Sequence, residues 1–230
     1  MEKKFASIST LSVLSVIFMC VMILFSVVTL FLNVGELKIY SMYSSDMPVE
    51  YMSDFEAMFI LLTVIVGLGW IFFNILFIIF YLIWKYRVYK NLQIAKVKGL
   101  GHSPGWAVGW YFIPIAHLFK PYQVMKEIWQ ATFYSRGTED WKTKSVSGIL
   151  LTWWLIYIFS NLLSSQNIFS DHTIGAYKKD AILSLLTEPL SIISGILLII
   201  IIRKITKEQN ERLPQMQEEA KDELPVENQI

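Results

Sequence analysis

The chain has 230 residues, of which 54% are hydrophobic and only 17% are charged, and its mean hydropathy is +0.48. Soluble domains carry about 25% charged residues, so this chain cannot cover itself with a water-compatible surface. The composition argues against a soluble enzyme, a disordered chain and a nucleic-acid-binding protein, and a net charge of +1 favours no oppositely charged partner. We therefore predict an all-α, polytopic membrane protein without a nucleic-acid partner.

Four apolar runs are long enough to cross a bilayer, which needs roughly 20 apolar residues at about 1.5 Å each. In chain order, the predicted spans are 10–32, 57–84, 146–163 and 181–202. The first run is longer than the apolar core of a signal peptide and is followed by no small-residue cleavage site, so we predict that it is retained. Ser53 and Glu56 have the spacing of a capping box that would open the second span, although a chance match is the alternative.

Basic residues orient the predicted spans. With four crossings and a cytoplasmic N-terminus, 17 basic residues fall on the cytoplasmic side and three outside. A fifth crossing at 106–119 would change these numbers to 9 and 11 and remove the bias. That stretch is also short and contains Pro114, so we predict that 104–119 is a re-entrant or interfacial helical segment.

The resulting domain organisation is simple. We predict one membrane domain over 1–205 and a charged cytoplasmic tail over 206–230, which is helical at first and disordered at its end. Both termini are expected in the cytoplasm of a multi-pass protein. Trp84, Tyr86 and Tyr89 are predicted to form an aromatic belt where the second span leaves the membrane.

The segment after the second span is rich in glycine, proline and tryptophan. The helix of this span is predicted to continue past Lys85 and to end at Gly99-Leu-Gly101. Pro104 can start the next helix and Pro114 must break or kink it. Glycine recurs every fourth residue and would give a helix face that another backbone approaches closely, at Gly101, Gly105 and Gly109.

An amphipathic helix is predicted over 121–134, with Pro121 in its first turn. Its apolar face comprises Tyr122, Met125, Ile128, Trp129, Thr132 and Phe133, and its polar face comprises Gln123, Lys126, Glu127 and Gln130. Such a helix suits the inner membrane surface. It equally suits packing against the protein's own spans, and the two alternatives are compatible.

Polar residues within the predicted spans are candidates for function because ionisable groups at membrane depth are costly. Glu188 is the one acid in a predicted span. We expect Thr187 and Glu188 to form a helix start before Pro189, which would shorten the span to 190–205; the alternative is an acid at membrane depth. Asn74 and Asn161 are expected to form interhelical hydrogen bonds.

Signatures of known catalytic chemistry, such as HExxH, GxSxG, a P-loop or CxxC, do not occur in the sequence. Three histidines without converging ligands do not indicate a metal site. We predict no catalytic residue, no cofactor and no metal.

Over roughly residues 55–212, the sequence resembles the bacterial membrane family known as domain of unknown function 4328. The central match is the sequence Ser103-Pro-Gly-Trp-Ala-Val-Gly-Trp110, followed by Phe112-Ile-Pro114, Leu118, Lys120-Pro-Tyr-Gln123 and Lys126-Glu-Ile-Trp129. Flanking matches are Trp84, Arg87 and Asn91 before it, and Arg203-Lys-Ile-Thr206 and Gln209 after it. His117 departs from the asparagine that the family usually shows. The resemblance implies residence in a bacterial membrane and supplies no activity.

The resemblance also defines the residues expected to shape this segment, namely Arg87, Asn91, Ser103, Pro104, Gly105, Trp106, Gly109, Trp110, Pro114 and Pro121. Arg87 and Asn91 lie four residues apart on one helix face. We expect their side chains to satisfy the carbonyls that Pro114 frees. The alternative is an Arg87 exposed at the lipid headgroups.

Three functions fit the sequence. The first is a non-enzymatic membrane scaffold or lipid-associated accessory protein of the bacterial cytoplasmic membrane, with anionic lipid headgroups, a second copy or a membrane complex as its partner. Its candidate pocket for a headgroup or a partner's peptide comprises His117, Lys120, Tyr122 and Gln123. The second is a small transporter or channel subunit with a polar path through discontinuous helices. An enzyme acting on a lipid is the third, and no nucleophile–base pair supports it.

Overall fold

The computed structural model describes residues 5–48, 53–135, 140–164 and 173–222. Within these ranges the α-helices are α1 (Ser9–Tyr40), α2 (Asp54–Ile94), α3 (Pro104–Gly109), α4 (Pro114–His117), α5 (Lys120–Tyr134), α6 (Gly148–Ser164) and α7 (Ile174–Asp222). Short 3₁₀ turns occur at Trp110–Phe112 and Asp140–Thr143. The described residues form no β-strand, and the predicted all-α class is confirmed.

Three of these helices are long and apolar enough to cross a membrane: α1, α2 and the Ile174–Arg212 part of α7. The apolar helix α6 has 17 residues, which corresponds to about 26 Å, slightly less than the roughly 30 Å hydrocarbon core. The apolar segment of α2 contains no buried residue. The apolar side chains of this segment are therefore not buried within the protein, which suits a helix in contact with lipid.

The helix containing Glu188 does not begin at that residue. Helix α7 runs without interruption from Ile174, so the predicted helix start at Thr187 and Glu188 is wrong. Pro189 removes one backbone donor, and a long apolar helix that is held by its neighbours tolerates that loss. Helix α7 also continues to Asp222, so the first part of the charged tail is helical. The predicted disorder concerns 223–230, outside the described residues.

Two helices have ends that differ from the sequence predictions. Helix α1 continues to Tyr40, beyond the predicted span end at 32. Helix α2 ends at Ile94, before the predicted stop at Gly99-Leu-Gly101. The cause is Lys96, which adopts a left-handed conformation with φ 54°. Its N–H donates to the carbonyl of Gln93, and the N–H of Val97 donates to that of Leu92, which is the hydrogen-bond pattern of a Schellman cap.

The opposite end of α2 follows the prediction. The Ser53 N–H donates to the Glu56 carboxylate at 3.0 Å, and the Glu56 N–H donates to the Ser53 hydroxyl at 3.4 Å. This reciprocal pair is the predicted capping box.

The chain divides into two compact units, each with its own packing. The first comprises Met1–Val16, Ile78–Leu151 and Ile199–Ile230, and the second comprises Ile17–Phe77 and Thr152–Leu198. The first unit buries fully the side chains of Trp84, Val88, Leu92, Val124, Met125, Ile128, Ile201, Ile202 and Ile205. These residues come from α2, α5 and α7, so three segments that are distant in the sequence form one core.

In the second unit, α1 lies antiparallel to α7. Gly195 approaches Met19 and Ile23 so closely that an added Cβ would lie 3.0 Å from the Met19 sulfur. Towards the other end of the same pair, Tyr40 packs with Ile174 and Ala181. The backbone of the connecting loop joins α7 through the N–H of Ile174, which donates to the Met47 carbonyl at 3.0 Å.

Candidate functional site

The central block, which we define as residues 104–119, consists of short helical pieces in the first unit. Ser103 caps α3 by accepting the N–H of Trp106 at 3.2 Å, and Pro104 occupies the first turn. A 3₁₀ turn follows, and Pro114 opens α4. The predicted start at Pro104 and the predicted break at Pro114 both occur because proline suits a first turn and cannot continue a helix.

Large apolar side chains cover the outside of the central block. Phe112 is 72% exposed and Ile115 is 77% exposed, and these two are accompanied by the exposed residues Trp106, Ile113, Leu118 and Phe119. Ala107 and Ala116 face inward and are buried. Several large exposed apolar side chains in one short segment are typical of contact with a membrane or with another protein.

One cation lies at the edge of this surface. The Lys120 ammonium is 5.3 Å from the centroid of the Trp110 ring and 5.9 Å from that of Phe119. Trp110 in turn packs on Trp106, with ring centroids 4.6 Å apart. Lysine and tryptophan are the residue types that are typical of a membrane–water interface.

The structure does not gather the four predicted pocket residues into one cavity. His117 packs edge-on against Tyr111, with ring centroids 5.6 Å apart, and Tyr122 is half-buried on α5. Lys120 lies beside Trp110, as described above. Gln123 lines a different pocket on the polar side of α5. The four residues therefore belong to different environments.

The predicted glycine face is also absent from the described central block. Gly101 precedes α3, and an added Cβ there would meet the Glu127 carboxylate at 3.5 Å. At Gly105 and Gly109 the nearest atoms to an added Cβ belong to the side chains of Ser103 and Trp106. No backbone atom of another helix is among the atoms nearest to an added Cβ at these three glycines.

Arg87 and Asn91 hold the N-terminal segment, so the prediction that they satisfy carbonyls near Pro114 is wrong. The Asn91 amide accepts the N–H of Ala6 and donates to the carbonyl of Ala6, both at 3.0 Å. The Arg87 guanidinium donates to the carbonyl of Ser7 at 3.1 Å. Both side chains therefore contact the residues that directly precede α1.

The other family-motif residues also form contacts that connect distant parts of the chain. The Trp84 indole donates to the Thr206 hydroxyl at 3.0 Å. The Gln209 amide donates to the carbonyl of Val88 at 3.3 Å and to the hydroxyl of Thr132 at 3.0 Å. Trp84 and Tyr89 are buried and Tyr86 is exposed, so two of the three residues of the predicted aromatic belt are core residues instead.

Lys85 is a buried ionisable residue that the sequence did not single out. Lys85 lies in α2, directly after the predicted membrane-spanning segment 57–84. Its side chain is 0% exposed. The ammonium donates to the Tyr111 hydroxyl at 3.1 Å and to the Pro121 carbonyl at 3.2 Å. Burial lowers the pKa of Lys85 to about 7.

Glu127 is the centre of a second polar cluster in this unit. Its carboxylate accepts hydrogen bonds from the Tyr89 hydroxyl at 3.1 Å and from the Gly101 N–H, and it pairs with His102 Nδ1 at 2.5 Å. The Tyr89 hydroxyl also accepts the N–H of His102 at 2.9 Å. Burial and the nearby Glu127 raise the pKa of Tyr89, so it remains a donor at neutral pH.

The polar residues predicted within spans have mixed environments. Glu188 lies inside α7, near Ser26 of α1. The Asn161 amide donates to the carbonyl of Tyr157 in its own helix at 2.7 Å, so the prediction of an interhelical bond is wrong there. An exposed asparagine side chain can donate to the carbonyl four residues earlier in its own helix. Asn74 is half-buried on α2.

The fold and the site define a helical protein with three helices able to cross a membrane and an apolar central block after the second of them. The model of the family described as "Domain of unknown function (DUF4328)" matches residues 52–207, which is more than half of the chain. The chain belongs to this family. No curated protein and no solved structure matches it.

Proposed function

We propose that this protein is a non-enzymatic, lipid-associated accessory protein of the bacterial cytoplasmic membrane. In this proposal α1, α2, α6 and α7 cross the membrane and both termini are cytoplasmic. The central block rests in the inner leaflet and holds anionic lipid at its edge. The observation that carries the proposal is the exposed apolar surface of the central block beside Lys120.

The exposed side chains favour a bilayer as the occupant of this surface. Phe112 and Ile115 lie on pieces too short to cross a membrane, and their exposure to water would be costly. Burial of such side chains about 5–10 Å into a leaflet removes that cost. Family membership does not specify a partner, and a protein partner is the outcome that the experiment below must separate.

Electrostatics favour an anionic lipid over a neutral one. Lys120 lies over the Trp110 and Phe119 rings, which hold its ammonium at the margin of the apolar surface. A lysine near a negatively charged membrane surface contributes about 1 kcal/mol. The segment 85–145 that contains it carries ten basic residues and three acids, so the wider region also favours an anionic leaflet.

Lipid retention tests this proposal. The protein would be purified gently and analysed by native mass spectrometry, with Lys120→Ala and Tyr122→Ala as variants and Lys144→Ala as the matched control. Lys144 is exposed and lies away from the central block in sequence. We expect Lys120→Ala to lose anionic lipid relative to the control, with unchanged melting temperature. Equal retention in all variants, or a co-purifying protein subunit bound through the block, contradicts the proposal.

A second candidate function, a small transporter or channel subunit, is favoured by a polar seam in the second unit. On α1 the buried residues Ser26, Asn33 and Glu36 lie on one helix face, and α7 contributes the buried Thr187 and Ser194. Glu188 of α7 lies near Ser26. Among the described residues, the amide nitrogen of Asn33 has no hydrogen-bond partner. Such polar groups are costly at membrane depth, which makes them candidates for a functional role.

Flux measurements decide on this second candidate. Proton and small-cation flux would be measured with the reconstituted parent protein and with Glu188→Gln. Asn161→Ala is the control, because the Asn161 amide donates to a carbonyl of its own helix. Flux that disappears with Glu188→Gln and survives in the control supports a transport path. Liposomes no more permeable than protein-free ones exclude it for these ions.

A further inference from the structure

Lys85 contacts both ends of one segment of the first unit, residues 111–121. Its Nζ atom donates to the Tyr111 hydroxyl at 3.1 Å and to the Pro121 carbonyl at 3.2 Å. The segment between these contacts carries most of the exposed apolar side chains of the central block, namely Phe112, Ile113, Ile115, Leu118 and Phe119. One buried side chain of α2 therefore holds both ends of this apolar segment.

Tyr111 attaches the start of the segment to α2. Its hydroxyl lies 3.0 Å from the Tyr81 hydroxyl, and the two rings meet edge-on with centroids 6.1 Å apart. The Tyr81 ring in turn stacks on the buried Trp84. The 3₁₀ turn Trp110–Phe112, to which Tyr111 belongs, contains no buried residue. Contacts of a half-buried tyrosine, rather than a buried core, thus attach this turn to α2.

The surroundings of Lys85 suit a neutral amine better than an ammonium. A neutral amine has two N–H groups, and the two hydrogen bonds use both, whereas an ammonium has a third N–H and a full charge. Among the described residues, no carboxylate forms an ion pair with Lys85. The Tyr111 ring, with its centroid 4.7 Å from Nζ, attracts a cation but carries no charge. A buried charge without water or a counterion is costly.

Other titratable groups lie on the elements around Lys85. They are Tyr81 and Tyr89 of α2, Tyr111 of the 3₁₀ turn, His117 of α4, Lys120 and Glu127 of α5, and Arg203, Lys204, Lys207 and Glu208 of α7. The two acids are paired elsewhere, with His102 and with Arg212. The three cations of α7 are exposed. His117 packs against the Tyr111 ring, and histidine commonly takes up a proton near neutral pH, so the experiment must separate it from Lys85.

We propose that Lys85 is a pH-sensitive switch that controls the attachment of residues 111–121 to α2. While Lys85 is neutral, its two N–H groups hold Tyr111 and Pro121. When it binds a proton, water enters around the charge and these two contacts open. Acidification thus allows the apolar segment to move away from α2, while the buried residues Val124, Met125 and Ile128 keep α5 in place. The proposal is independent of what covers the outer surface of the segment.

Distances between two nitroxide labels, measured by pulsed electron paramagnetic resonance, test this switch. The full chain is placed in phosphatidylcholine nanodiscs with labels at positions 115 and 90, through Ile115→Cys and Lys90→Cys on a Cys20→Ser background. Both native side chains are exposed. A control pair joins position 90 to position 126 of α5, through Lys126→Cys. The pH is varied from about 5.5 to about 8.5, on either side of the pKa of about 7 to which burial lowers Lys85.

We expect the 115–90 distance distribution to be narrow at the alkaline end and to become longer and broader on acidification, with half of the change at about pH 7. The 126–90 distribution should stay constant. Lys85→Met cannot bind a proton and should show no pH response, and Lys85→Arg, which stays charged, should give the broad distribution at every pH. His117→Asn should respond like the parent.

A parent 115–90 distribution that is the same at both ends of the pH range overturns the proposal. A pH response that persists in Lys85→Met, or that disappears in His117→Asn, also overturns it. The same holds for a narrow distribution in Lys85→Arg. A matching change in the 126–90 pair would contradict a movement confined to the segment.

Discussion

The side-chain amide of Asn91 holds both backbone polar groups of Ala6, with its oxygen 3.0 Å from the Ala6 nitrogen and its nitrogen 3.0 Å from the Ala6 oxygen. An asparagine in α2 thus supplies the hydrogen-bond partners of a backbone segment that precedes α1. The contact fixes the entry to α1, where Ile8 is buried.

This contact predicts a stability effect. Asn91→Ala leaves a donor and an acceptor of Ala6 without their partner, and we expect a loss of about 1–3 kcal/mol in the free energy of unfolding. Gln93→Ala is the control, because Gln93 is exposed on the same helix. Thermal unfolding in detergent measures both. Equal melting temperatures for the two variants would show that the clamp contributes nothing to stability.

Lys85 predicts a dependence of stability on pH. Its pKa is lowered from 10.5 to about 7 in the folded protein. Between these values the unfolded chain binds a proton that the folded chain does not, so stability falls as the pH is lowered from about 10.5 to about 7 and is then constant. Lys85→Met removes this effect. The melting temperature of the parent relative to Lys85→Met should therefore rise from pH 7 to pH 10, and a constant difference over that range contradicts the assignment.

Glu127 predicts a local change in dynamics. Glu127→Gln replaces an acceptor of three hydrogen bonds by an amide that must also present donors to Tyr89, Gly101 or His102. We expect faster amide hydrogen exchange at residues 99–103 and a lower melting temperature. Glu211→Gln, at an exposed position of α7, is the control. Unchanged exchange at Gly101 would mean that Glu127 does not hold the loop.

Membrane topology follows from the charge distribution. Reporter fusions at Asp46 and Asp171 should lie outside the cytoplasm, and fusions at Thr138 and at the C-terminus should lie inside it, because 17 of 20 basic residues then lie inside. Of the four crossings that we propose, the one through α6 has the shortest helix, with 17 residues. A C-terminal reporter found outside would contradict this topology.

Local signals in the sequence predicted local structure well. The Ser53–Glu56 capping box, the helix start at Pro104 and the break at Pro114 each depend on residues next to one another, and each occurs. The same kind of local rule gave a wrong helix boundary at two other places. Lys96 takes the left-handed position that glycine usually occupies, and Pro189 lies within α7 without ending it.

Contacts between distant residues could not be predicted from one sequence. Asn91 and Ala6 are 85 positions apart, and Trp84 and Thr206 are 122 positions apart. The spacing of residues along one helix indicates which face they share, but it does not indicate which distant residue they contact. The pocket on the polar side of α5 has the same origin, since Gly101, Gln130 and Trp141 meet only after three segments have folded together.

The central claim, that the central block lies within the leaflet, can be tested by measuring the depth of Ile115. A nitroxide label would be attached at position 115 through Ile115→Cys on a Cys20→Ser background, since Cys20 is the one cysteine of the chain. Position 126, on the polar side of α5, serves as the control through Lys126→Cys. In lipid nanodiscs we predict that the label at 115 collides with oxygen more than with a water-soluble nickel complex, and that the label at 126 shows the reverse. A label at 115 as accessible to nickel as the label at 126 would contradict insertion of the block.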